Sequence, residues 1–343
     1  MTPKPFGRLP DGRAVAQYTL RNAAGASADV ITYGGIITAL RMPDRHGKLA
    51  DVVLGFDRLE AYVAGHPYFG AIIGRIAGRV SAGRLQLPDG VRPLALTDGP
   101  NHLHGGRVGF DKRLWSVLAA TPNSLRLFYR SPDGEEGYPG NLDVTVTYTL
   151  TDDNALVVES EAVTDRVTPL SLAQHSYFNL AGEGSGNVLN HMVQIHATEV
   201  VPAADANMTL SGRRTAVAGT GNDFTHPRRL GDALPGMFRA HGEHYFIRAA
   251  AAVAPATVAR VTEPVSGRVL EVSTNDCALQ FYTGMALDGT LTGKAGRTYG
   301  PHDGLCLECQ GYPDGAHRRD LGDILVYPGT PQKRLTRYAF STA

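Results

Sequence analysis

The chain of 343 residues reads as all-β: a large antiparallel β-sandwich with very little helix. Three observations predict that class. Short runs rich in Val, Thr, Tyr, Leu and Ile alternate apolar with polar residues, as half-buried strands do. The 40 glycines and 21 prolines punctuate these runs, with turn signals such as PDG at 88–90 and 132–134, DGP at 98–100 and PGN at 139–141. Sustained helical periodicity is nearly absent. Many strands at short spacing with almost no helix build a sandwich or a barrel.

In chain order the strand-like runs are AVAQYTLRN (14–22), ADVITYG (28–34), LWSVLAAT (114–121), SLRLFYR (124–130), LDVTVTYTL (142–150), ALVVESEAV (155–163), HMVQIHA (191–197), RVLEVST (268–274), ALQFYTG (278–284) and DILVYPG (323–329). A helical turn or two is expected around HPRRLGDAL (226–234). No fixed-period repeat, low-complexity tract or linker divides the chain, so residues 1–343 are expected to form a single domain.

The hydrophobic fraction of 43% suffices for a sizeable core. Lys+Arg and Asp+Glu both number 33, so the chain carries no general electrostatic footprint for nucleic acid or an anionic membrane. The pairs Arg213–Arg214, Arg228–Arg229 and Arg318–Arg319 read as solvated loop charges. No apolar run is long enough for a signal peptide or a membrane span. Three cysteines make no disulfide framework, and a reduced, cytoplasmic protein is expected, as a monomer or homodimer.

Several motifs fail on spacing. GTLTGKAG (289–296) has three residues between its glycines where a phosphate loop needs four, and Ala295 follows the lysine. GRIAGRVSAG (74–83) is not spaced for a dinucleotide. CLEC (306–309) lacks a second ligand pair, and on a strand its cysteines face opposite ways. His191 and His196 face apart for the same reason. No metal and no cofactor are expected.

Side-chain parity leaves one constellation. In PLSLAQHSYFNLAGEG (169–184), Ser171, Ala173, His175, Tyr177 and Asn179 share one strand face, and Leu170, Leu172 and Phe178 share the other. In GLCLECQGYPD (304–314), Leu305, Leu307 and Cys309 make an apolar face, with Glu308 opposite between Cys306 and Gln310. Crowding there would raise the carboxyl pKa by desolvation, towards the range of a useful base. NHLHGG (101–106) sets two histidines in a glycine-rich loop, and ALQFYTG presents Gln280 and Tyr282 on one face. A base, an acid, neutral hydrogen-bonding groups and Arg79 suit a small polyhydroxylated ligand whose only chemistry is proton transfer. Each segment alone reads more readily as an ordinary loop histidine or sheet-surface amide.

HSYFNLAG, LHGG with GFDK, GRIAGR, LQFYTG and LECQGYPD, in that family's order, resemble the signature segments of the aldose 1-epimerase, or galactose mutarotase, family. The resemblance runs from about Phe6 to Phe340. It implies the family's large antiparallel supersandwich, and interconversion of the α and β anomers of a free aldose such as glucose or galactose without metal or cofactor. By position it makes His175 the general acid and Glu308 the general base, with His104 assisting near the ring oxygen. Arg79 and Gln280, with Gly78, Ser176, Tyr177 and Glu243, are the expected substrate-binding residues. Ordinary pKa values of about 4.3 and 6.5 would let carboxylate and imidazolium coexist slightly below neutrality.

Three positions depart from the family pattern. Gly78 stands where Asn is usual, and Glu243-His244-Tyr245-Phe246 replaces an Asp-His-Asn-Phe run. These changes leave the acid and base in place and bear on which sugar is preferred; a pentose such as arabinose is one candidate. Other readings are a non-catalytic sugar-binding protein, an epimerase of a phosphorylated hexose using Arg75, Arg79 and Arg84, and a glycoside hydrolase with a Glu243–Glu308 pair.

Overall fold

The computed structural model describes residues 2–316 and 318–343. Strands hold 42% of it and helices 8%, arranged as the expected antiparallel sandwich. The largest sheet has nine strands, in the order Ser116–Ala120, Ser124–Ser131, Leu142–Leu150, Ala155–Thr164, Gln332–Thr342, Arg268–Thr274, Ala256–Thr262, Met192–Ile195 and Arg228–Arg229. A five-stranded sheet orders Lys4–Arg8, Ala14–Arg21, Ser27–Ile31, Ile37–Pro43 and Leu49–Asp51. A second five-stranded sheet runs Thr215–Ala216, Glu199–Val201, His244–Phe246, Ala278–Tyr282 and Cys306–Gln310.

Alternation decides which residues these sheets bury. Leu142, Val144, Val146, Tyr148 and Leu150 face one main core, while Asp143, Thr145 and Thr147 between them are only half-buried. Leu279, Phe281, Leu307 and Cys309 join that core, whereas Tyr282 and Cys306 enter a second, smaller one with Phe69 and Tyr177. Cys306 and Cys309 therefore do face apart, and Leu170, Leu172 and Phe178 pack away from Tyr177 as their parity requires.

The fold departs from the sequence reading in places. The expected helical turn is present as Leu230–Ala233, followed by a short 3-10 segment, Leu234–Gly236. A further helix, Leu59–Ala64, was not anticipated; six residues are too few to display a period of 3.6. DILVYPG yields only a two-residue strand, Leu325–Val326, because the chain turns between Tyr327 and Thr330. Arg228 and Arg229 lie in an edge strand rather than a loop, and the pairs are matched by carboxylates: Arg214 with Glu199, Arg229 with Asp232, Arg318 with Asp320.

Candidate active site

Register builds the floor of the site. His244 pairs with Gln280 across one ladder, and Gln280 with Glu308 across the next. Directly opposed residues project to the same face, so His244, Gln280 and Glu308 form a row over three strands. Tyr282 and Cys306 make the adjacent row.

His175 arrives from a different part of the chain. Its N–H donates to the Ala71 carbonyl at 2.9 Å, and its own carbonyl accepts from the Gly70 N–H at 2.9 Å. Its Nε2 lies 3.6 Å from Glu308 Oε2, with the two side chains 5% and 3% exposed. The other nitrogen, Nδ1, sits 3.6 Å from Cys306 Sγ. The Tyr177 ring stacks on the imidazole at 5.2 Å, and the His104 ring meets it edge-on at 5.3 Å.

His104 is held in a left-handed conformation, φ 51°, in the glycine-rich loop. Its Nδ1 accepts a hydrogen bond from the Gly78 N–H at 3.1 Å, which leaves the ring proton on Nε2 as a donor. Gly78 itself has φ +84°, and a Cβ there would lie 2.6 Å from Pro313 Cγ. The missing side chain at that position is thus a packing requirement of this chain. Arg79 follows, paired through its strand with Leu103, and its Nε donates to Asp98 Oδ2 at 2.6 Å. His102, the loop's other histidine, is structural: its ring nitrogens meet the Ala95 carbonyl and the Tyr138 hydroxyl.

Electrostatics alters the expected protonation. Burial pushes the Glu308 carboxyl up to about 8, against the pull of the Arg79 charge. Burial pushes His175 down to about 4. The ordinary values assumed from sequence therefore do not apply, because neither group keeps water to stabilise its charge. Across the neutral range the pair holds one proton between two closely spaced sites. His104 is held well below its ordinary value, again chiefly by burial.

The structure thus brings together His175, Glu308, His104, Tyr177, Arg79, Gly78 and Gln280. Two other predicted residues are bound differently. Glu243 Oε2 accepts from the Ala203 N–H at 3.3 Å, while Oε1 is buried without a partner among the described residues; burial lifts this carboxyl to about 7. The Ser176 N–H is held by Gln174 Oε1, and its hydroxyl is buried and unpaired among the described residues. Tyr245 faces the main core, its hydroxyl donating to the Asn222 carbonyl at 2.9 Å, so it does not line the site. Sequence reasoning missed His244, although alternation beside a core Tyr245 was a usable signal. It also missed His241, whose ring lies 4.5 Å from Tyr282, and Tyr68, whose ring lies 4.4 Å from His104.

His175, Cys306 and Glu308 offer a nitrogen, a sulfur and an oxygen within 4.8 Å of one another, a set able to hold a metal ion. Burial opposes that use: it raises the pKa of both the Cys306 thiol and the Glu308 carboxyl, and each would have to lose its proton to ligate.

A buried histidine–carboxylate pair, with a second histidine, a glutamine and an arginine beside it on the face of a β-sandwich, is an arrangement equipped for proton transfer. The family model described as Aldose 1-epimerase matches residues 16–339. The chain belongs to the aldose 1-epimerase family and is an isomerase that interconverts the anomers of a free aldose. It is 43% identical over 338 residues to the galactose mutarotase of Mus musculus, covering 98% of each chain. It is 34% identical to the aldose 1-epimerase of Escherichia coli strain K12, over 96% of each. An aldose epimerase homologue from C. elegans superposes with a TM-score of 0.89 at 28% identity, over 96% of this chain and 100% of that one.

Proposed function

We propose that Glu308 is the general base and His175 the general acid of anomer exchange on a free hexose, galactose or glucose. One observation carries this reading: the two side chains, from distant segments, meet at 3.6 Å in a buried site. With the pair in its imidazolium–carboxylate form, Glu308 takes the C1 hydroxyl proton while His175 gives a proton to the ring oxygen. The C1–O5 bond breaks and the aldehyde forms. Rotation about C1–C2 presents the other carbonyl face. The C5 hydroxyl then attacks C1, returning its proton to His175 as the new C1 oxygen takes one from Glu308. Protons balance over the cycle.

Burial assists the opening step. Both transfers leave neutral groups, Glu308 as acid and His175 as imidazole, and these are the forms a desolvated site favours. His104 Nε2–H supplies a neutral donor near the ring oxygen. Arg79, Gln280 and Tyr177 orient hydroxyls; Gly78 and Ser176 complete the set, and Glu243 enters through its unpaired Oε1. The names of the mammalian relatives favour galactose. A phosphorylated substrate gains no support from Arg75, which is 2% exposed and occupied by hydrogen bonds elsewhere. We read residues 1–343 as one functional unit, because strands from both ends of the chain pack into the same core. No helix among the described residues is long and apolar enough to cross a membrane.

Optical rotation tests the assignment. Freshly dissolved α-D-galactose or α-D-glucose is followed with native protein, Glu308→Gln and His175→Asn. Native protein equilibrates the sugar far faster than buffer, and each variant loses about a thousandfold or more, since each positioned proton-transfer group contributes about 10²–10⁴. Either variant within tenfold of native defeats the assignment.

A further inference from the structure

The loop ahead of the glycine-rich segment holds a residue that the mechanism has not used. Tyr68 has φ 63°, a left-handed backbone that a bulky side chain adopts only under constraint. Such outliers concentrate where function holds them in place. The constraint is visible. The Ala71 N–H donates to the Tyr68 carbonyl at 3.0 Å, closing a tight turn over 68–71. Gly70 in that turn has φ +64°, and a Cβ there would lie 2.2 Å from the Ile37 carbonyl oxygen. The same Gly70 and Ala71 hydrogen-bond both backbone groups of His175. One short turn therefore fixes Tyr68 and His175 relative to each other.

The side chains follow from that anchoring. The Tyr68 ring stacks on the His175 imidazole at 5.7 Å with 27° between planes, while Tyr177 stacks on it at 5.2 Å and 18°. Tyr177 is 2% exposed, whereas Tyr68 remains half-buried. Tyr68 also touches His104 and carries Lys112 over its ring at 5.4 Å.

We propose that Tyr68 is a positioning residue for the general acid: its ring holds the His175 imidazole in place and stabilises it when protonated. The inference rests on the acid role given to His175 above. An aromatic face attracts a cation, so a flanking ring favours imidazolium over imidazole. The other titratable and charged groups around His175 are Glu308 and Cys306 from the adjacent strand, Tyr177 from its own segment, His104 from the glycine-rich loop, His66 from the loop before Tyr68, and His241 from the loop before His244. Lys112 and Arg79 add positive charge at the rim. Burial first, and then the neighbouring His241, disfavour the imidazolium; the ring faces and the Glu308 carboxylate favour it.

The test compares Tyr68→Phe and Tyr68→Leu with native protein and His175→Asn, by polarimetry across pH. The Phe variant, which keeps the ring face, loses less than about threefold in kcat. The Leu variant loses about tenfold or more in kcat with KM changed by less than about threefold, and the limb of its pH profile that reports His175 moves to lower pH by about half a unit. A Leu variant with native kcat and native pH limits overturns the proposal, as does a Phe variant as slow as Leu. If His175→Asn stays active, the acid assignment itself fails; if His175→Asn is inactive while Tyr68→Leu is native in both readouts, only the role of Tyr68 is lost.

Discussion

Glu308 and His175 carry pKa values displaced towards each other's ordinary range, and in the base and acid roles proposed for them this sets the working window of the reaction. Below about 4 both groups hold protons and Glu308 cannot accept another. Above about 8 neither does, and His175 has nothing to donate. The expected profile of kcat/KM is a bell whose limbs fall near these values, broader than ordinary Glu and His would give; a rate still rising steadily from pH 6 to pH 9 would contradict it. The sequence showed the two residues and even the upward shift of Glu308, because leucines and cysteines crowd that strand. It did not show the downward shift of His175, which comes chiefly from burial under segments distant in the chain, with a smaller push from His241. The row His244–Gln280–Glu308 was hidden for a related reason. Which residues stand opposite one another is set by turns and tertiary packing, and no local pattern around Glu243 and His244 reports it.

Elements place these residues, and Arg75 shows how. Its buried guanidinium reaches six acceptors with its five N–H groups, one of them shared: the Ser131 hydroxyl and carbonyl, the Pro132, Pro139 and Gly140 carbonyls, and the Thr168 hydroxyl. It ties the turn of a distant hairpin to the segment that leads into Arg79. An ammonium offers three donors where this site presents six acceptors. Arg75→Lys should therefore lose about 3–5 kcal/mol of stability, seen as a lower midpoint in urea with little change in slope. A midpoint within experimental error of native would refute the account. In sequence, Arg75 and Arg79 looked alike as members of one glycine-rich run; only the surrounding carbonyls separate the structural cation from the site's cation. Strand parity, by contrast, was legible wherever alternation is clean, as in Leu142–Leu150, since a period of two needs only a few residues to declare itself.

At the scale of the molecule, the strand Gln332–Thr342 is, with Ala256–Thr262 and the short edge strand Arg228–Arg229, a member of the large sheet that sequence reasoning overlooked. Its burial is patchy, with Tyr338 and Phe340 inside and charged residues at 333, 334 and 337, so it lacks a clean alternation. Yet it lies between Ala155–Thr164 and Arg268–Thr274, pairing antiparallel with the first through residues 332–339 and with the second through residues 336–342. Deleting residues 332–343 should leave two open edges inside the core sheet and abolish soluble, cooperatively melting protein; a truncated chain that melts like the native one would disprove this. The large antiparallel class was readable from strand content, but the order of strands was not, because distant pairings leave no mark on neighbouring residues. That order also bears on biosynthesis. The sheet's bridging strand leaves the ribosome after the eight others it joins, so its halves cannot be united while translation of this stretch is under way. Nascent chains must meanwhile carry two unsatisfied β-edges, and we expect their yield in cells to depend on chaperone capacity far more than the finished enzyme's stability would indicate.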